Sequence, residues 1–205
     1  MPDNATTPLR RTQQERREAT IRKLLDAARE SLIEVGYANT SIQQICHRAG
    51  VSQGGLFRHF KTRLDLLIEV ADDVSNALID HYDRRFQALN QEDDPFRLAL
   101  GLLRENCRAR DNEAWFELIL AARTDTTLRT AMVPIWRHNR ERTLERAISM
   151  FPALAQKHPD FPAFVNCIVN QFHGETINGF IENNEAADRE RLECSLAMIR
   201  QYAER

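Results

Sequence analysis

Apolar residues along this chain recur at intervals of three and four. Nowhere do they sustain the alternation of period two that a half-buried strand requires. Ile21, Leu24, Ala28, Leu32 and Val35 form one such stripe, followed by Gly36 where a helix C-terminal glycine belongs. Leu67, Val70, Ala71, Val74, Leu78, Tyr82, Phe86 and Leu89 form a longer one. The spacing predicts an all-α protein. Helices are expected at about 16–35, 42–48, 53–59, 62–89, 95–109, 112–123, 125–151 (kinked at Pro134), 160–183 and 188–203, about nine in all. Seven Gly and seven Pro among 205 residues are too few for a loop-rich β protein.

Punctuation between the stripes is chemical. Thr40-Ser41-Ile42-Gln43 fits a capping box, with a hydroxyl at the cap and a Gln three residues on. Gly50 suits a left-handed turn, Ser52 suits the cap of a second short helix, and Thr62-x-x-Asp65 is another capping box. Pro95 suits a first helical position.

Several classes are excluded. No uncharged apolar run approaches the roughly 20 residues of a membrane span, and residues 1–17 lack the apolar segment of a secretory signal. Cys46, Cys107, Cys167 and Cys194 lie far apart with no C-x-x-C pair, so neither a metal site nor a disulfide framework is indicated. A reduced, cytoplasmic location is the expectation. No H-E-x-x-H, G-x-S-x-G, P-loop or G-x-G-x-x-G motif occurs, so neither an enzyme nor a cofactor is expected.

Residues 40–60, TSIQQICHRAGVSQGGLFRHF, read as a short helix, a glycine-containing turn and a second short helix, the outline of a helix-turn-helix. Three of the seven glycines fall between 50 and 55. At the start of the second helix, Gly54 and Gly55 permit close approach of backbone to another surface. Gln53 is a candidate to read a base edge, while Arg58, His59, Lys61 and Arg63 add donors or positive charge.

Charge distribution supports the same reading. The formal net charge of −2 argues against a nucleic-acid binder. Residues 1–63, however, hold 11 Lys and Arg against 6 Asp and Glu, a net +5, and residues 64–205 hold 17 against 24, a net −7. A basic head on an acidic body is the pattern of a polyanion-binding module joined to a domain with another task. The expected organisation is a disordered basic arm over 1–14, a DNA-binding domain over 15–62 and a second domain over 63–205.

Residues 17–67, above all Thr40 to Leu67, resemble the DNA-binding domain of TetR-family transcriptional regulators. The family pattern T-T-hydrophobic-x-x-I-A-x-x-A-G-V-S-x-G-x-L-Y-x-H-F-x-x-K-x-x-L is met almost throughout by TSIQQICHRAGVSQGGLFRHFKTRLDLL. The resemblance implies a three-helix DNA-binding head, a connecting fourth helix and a helical bundle that binds a ligand. It also implies a homodimer, usually a repressor, that leaves operator DNA when a small-molecule effector binds. Carried over by position, Thr40 and Ser41 would touch phosphate and Gln43 a base. Ser52, Gln53, Gly54 and Gly55 would enter the major groove, and Phe57, His59, Lys61 and Arg63 would hold the backbone. Phe57 replaces the usual Tyr and loses its hydroxyl, Arg63 replaces the usual Lys, and Cys46 replaces the usual Ala.

In the body, Phe161 to Gly174 carries no formal charge and is expected to be buried on most sides. Asn166, Asn170 and His173 share one face of it and, with Trp115 in the apolar 112–123 segment, are the candidate ligand-binding residues. The last two helices are expected to form a four-helix dimer contact, with Gly174 and Gly179 allowing close crossing. The competing reading is an α-helical interaction protein whose head docks another protein.

Overall fold

The computed structural model describes residues 12–89 and 94–205. The expected arm lies, up to Arg11, outside the described residues. Among the described residues there are ten helices and no strand: α1 Gln13–Asn39, α2 Ile42–Ala49, α3 Gln53–Phe57, α4 Arg63–Leu89, α5 Pro95–Cys107, α6 Arg110–Ala121, α7 Thr126–Met150, α8 Pro152–Lys157, α9 Phe161–Gly179 and α10 Glu185–Glu204. The helix beyond the expected nine is α8. Its six residues are too few to display a period, and only Pro152 at its first position announces it.

The chain divides into two compact units, one ending at Val70 and one beginning at Ala71, so the division falls within α4 rather than at its start. The first unit closes around Leu24, Ala28, Leu32, Ile45, Leu56, Leu66, Leu67 and Val70, all essentially inaccessible to water. Each of the Leu, Ile and Val side chains contributes roughly 1.5–3 kcal/mol through burial.

Local signals set its turns. Thr12 caps α1 in a complete capping box with Glu15. Gly36, at φ 78° and ψ 170°, breaks α1 in a region open only to glycine. Thr40 folds back on that break, its hydroxyl and amide both donating to the Gly36 carbonyl at 2.8 and 3.1 Å. The cap of α2 is therefore Ser41, which accepts from the Gln44 amide at 3.2 Å, and not Thr40 as the motif suggested. Gly50 closes α2 in the left-handed conformation, and Ser52 caps α3 by accepting from the Gly55 amide at 3.1 Å. Helix α3 ends at Phe57 instead of residue 59, because the His59 amide turns onto the Leu56 carbonyl in a tighter i to i+3 bond. Thr62 and Asp65 form the expected reciprocal box.

In the second unit, Leu100, Cys107, Ile168, Phe172, Leu196 and Ile199 bring α5, α9 and α10 together. Leu154, Phe161 and Tyr202 extend that core to α8. Pro134 lies within α7 without ending it. Asn184 caps α10, which starts three residues earlier than expected. Helix α9 is not closed on most sides as its lack of charge suggested: Ala163, Cys167, Asn170 and Ile177 are exposed. A Cβ placed on Gly174 or Gly179 would meet nothing within 4 Å, so neither glycine serves a close crossing inside the chain.

Candidate DNA interface and ligand cavity

Helix α3 holds Leu56 in the core and turns the rest of its surface outward. Ser52, Gln53, Gly54, Phe57 and Arg58 are exposed, as are Ser41 and Gln43 on α2 and Lys61 in the turn before α4. The side chains of Arg58 and Lys61 make no ion pair or hydrogen bond among the described residues, so both charges face water. Phe57 leaves about half its surface, 49%, open to solvent.

The two glycines differ. A Cβ on Gly54 would meet nothing within 4 Å, whereas one on Gly55 would lie 2.9 Å from Val51 Cγ1 and 3.3 Å from Ser52 Oγ. Gly55 is thus required by packing, and Gly54 keeps an outward surface low. The Gly55 amide is already satisfied by its cap.

Three candidates face inward in part or entirely. Thr40 is buried with its hydroxyl spent on Gly36. His59 is half-buried. The half-buried Arg63 donates from Nε to the Thr40 carbonyl at 2.5 Å and from a terminal nitrogen to the Tyr37 carbonyl, and its guanidinium lies 4.3 Å from the Tyr37 ring centre. No signal in the sequence announced that Arg63 would pin the turn between α1 and α2.

The second unit contains an apolar chamber of about 120 Å³ among α4, α5, α7, α9 and α10. Leu103, Met150, Phe161, Phe164 and Ile168 supply much of its wall. Its polar groups are mostly committed. The Tyr82 hydroxyl donates to the Ala99 carbonyl at 3.1 Å, and burial, with the neighbouring Asp83 charge, pushes its pKa up. Arg146 pairs with Asp83 at 2.7 Å. Asn106 Oδ1 is shut away from water with no hydrogen-bond partner.

A second cavity of about 150 Å³ lies between α7 and α9, lined by Trp136, Asn139, Arg140, Asn166, Asn170 and His173, among others. Three of the four expected ligand residues, Asn166, Asn170 and His173, therefore meet at one place. Trp115 does not join them. It is buried, stacked on Trp136 with ring centres 6.1 Å apart, and lines neither cavity. Burial lowers the His173 pKa, and its ring meets Phe116 edge-on at 5.3 Å.

The second unit also holds a charge cluster centred on the buried carboxylates of Glu175 and Asp188. Arg104 on α5 and Arg108 at its C-terminal cap both reach Glu175 of α9 at 2.6 Å and Asp188 of α10 at 3.1 and 2.7 Å. Arg191 also pairs with both carboxylates. Cys107 lies among these helices with its pKa pushed up to about 12, chiefly by burial, so it stays a thiol, while Cys167 and Cys194 are exposed.

Residues 24–70 match the model of the tetR family of bacterial regulatory proteins. Over 189 residues the chain is 31% identical to an uncharacterized helix-turn-helix-type transcriptional regulator of Mycobacterium tuberculosis, an overlap spanning 92% of this chain and 97% of the relative. The chain belongs to the TetR family. Its fold is shared with a TetR family transcription regulator of Marinobacter aquaeolei (TM-score 0.62, 18% identity, 92% of this chain and 97% of that one). A protein from Saccharomonospora viridis solved with choline bound also shares it (TM-score 0.63, 18% identity, 86% and 94%). Being a TetR-family transcriptional regulator, the protein is a DNA-binding protein and not an enzyme. TetR-family members bind operator DNA and small-molecule ligands and act as dimers. Among the described residues, no helix is long and apolar enough to cross a membrane.

Proposed function

We propose that this TetR-family protein is a homodimeric repressor that leaves its operator when a small molecule occupies the helical body. The observation that carries the reading is the surface of α3. Gln53, Arg58 and Lys61 are exposed with unspent hydrogen-bonding groups around Gly54, where nothing obstructs approach. Gln53 reads a base edge and Ser52 follows it into the major groove, while Arg58 and Lys61 hold phosphate. Ser41 and Gln43 extend the contact from α2, and Phe57 packs on sugar or a thymine methyl. Thr40, His59 and Arg63 then act chiefly by holding that surface in place. The head comprises 15–62 together with the first turns of α4, and the body comprises the rest.

Effector binding is supported by the apolar chamber, whose volume of about 120 Å³ suits a phenyl-sized group. Dimerisation is supported by exposed Cys167 and Ile177 on α9, with Phe180 just beyond its end, and by exposed Cys194 and Met198 on α10. Gel shifts with the DNA flanking its own gene test the core of the proposal. A salt-sensitive, sequence-selective shift is expected, and its absence refutes the reading. Repression is read from a reporter driven by that DNA. Sedimentation of the wild type and of Ile177→Glu tests the dimer, which the charged residue should dissociate.

A further inference from the structure

We infer that the effector is an amphipathic carboxylic acid whose apolar part fills the chamber and whose carboxylate binds Arg140. The inference rests on the reading that the body binds an effector, and it specifies that effector's chemistry.

Thr143 and Val169 line both the apolar chamber and the α7–α9 cavity, so the two spaces lie back to back on the same stretch of α7 and α9. A ligand bridging them meets two distinct chemistries. The chamber is walled by aliphatic and aromatic side chains, and its one cation, Arg146, is held by Asp83 at 2.7 Å. It therefore has no charge to offer. Its volume of about 120 Å³ is close to that of the ~150 Å³ apolar cavity that accommodates benzene, so a phenyl-sized group fits.

The adjoining cavity carries the complementary end. Arg140 makes no ion pair or hydrogen bond among the described residues, and no carboxylate contributes to that wall. Every charged side chain on the wall is thus cationic, and Arg140 has its full donor fork to give. Asn170 also makes no hydrogen bond among the described residues. His173, held toward its neutral form by burial, adds a hydrogen-bonding ring without competing charge. A flat surface for the ligand comes from Trp136, backed by Trp115. A cationic ligand would face Arg140 across this space, and a purely apolar one would gain nothing from Arg140, Asn170 or His173.

The test uses the full chain with its operator DNA, 3-phenylpropanoate as the acid and 3-phenylpropan-1-ol as its uncharged counterpart. Binding is read from tryptophan fluorescence, for which Trp136 is a native reporter, and operator release is read separately. The acid should bind at least about tenfold more tightly than the alcohol. Arg140→Gln, an exposed substitution checked for unchanged melting temperature, should remove that advantage while leaving alcohol binding unaltered. Equal binding of acid and alcohol, an unchanged preference in Arg140→Gln, or no binding of the acid would each overturn the inference. If the acid binds with its preference but does not release DNA, the effector reading fails while the acid site stands. If both probes release DNA equally, the effector reading stands and the acid site falls.

Discussion

Arg63, at the first position of α4, donates from Nε to the carbonyl oxygen of Thr40 at 2.5 Å. Its guanidinium also reaches the Tyr37 carbonyl and covers that ring, so one side chain ties the end of α1, the entry to α2 and the start of α4 together. A lysine would keep the charge but lose the planar fork and the stacking. Arg63→Lys should therefore lower the stability of the head by about 1–2 kcal/mol, read as a lower urea midpoint. Operator affinity should weaken to a similar degree for every sequence, since no base contact is removed.

Lys61 should behave in the opposite way. Its ammonium is exposed and unpaired among the described residues, so Lys61→Ala should leave the urea midpoint unchanged. The slope of log affinity against log salt should fall by about 1.8, because the homodimer loses one phosphate contact at each half-site. Gln53→Ala should instead relax discrimination at one base pair by about 1–3 kcal/mol while sparing the salt slope. Measuring both slopes on matched and mismatched operators separates the two roles.

The neighbouring glycines should part company. With nothing near its missing Cβ, Gly54→Ala should fold as well as the wild type, or better by about 0.5–1 kcal/mol through reduced freedom of the unfolded chain. It should nonetheless lose operator affinity, because the added methyl stands on the approaching surface. Gly55→Ala would press on Val51 Cγ1 at 2.9 Å, and should lose about 1–3 kcal/mol of stability before any DNA is present. Thermal melts paired with gel shifts distinguish these outcomes.

The contrast between those glycines marks how far the sequence is legible. Ser52, Gly50, Thr62 and Asp65 act on residues within a few positions, and their caps and turns were readable for that reason. Two adjacent hydroxyls, Thr40 and Ser41, compete for one cap, and the contact of Thr40 back to Gly36 decides between them. Asn166, Asn170 and His173 shared a helical face and so reached one cavity together. Trp115 lies in an apolar segment, and that same apolarity buries it against Trp136 and away from both cavities. Arg140, Asn106 and the partners of Arg63 depend on residues distant in sequence, and no local pattern encodes them.

Asp188 ties acid stability to the junction of α5, α9 and α10. Burial raises its pKa, but the hydrogen bond from Arg108, the charges of Arg108 and Arg104, and the bond from Arg191 together outweigh this and bring it below the ordinary 3.8. A carboxylate with a lowered folded-state pKa stabilises the fold above its unfolded value and loses that contribution as pH falls through the folded value. The wild type should therefore lose this stabilisation below about pH 4. Asp188→Asn removes a buried carboxylate shared by three arginines, of which Arg108 and Arg191 are exposed to solvent, and should cost about 1–3 kcal/mol near neutrality. Its stability deficit should then shrink on acidification, because the wild-type carboxylate becomes neutral as well. Melting temperatures of both proteins between pH 6 and pH 3 provide the measurement, and a deficit independent of pH would show that Asp188 acts through shape and not charge.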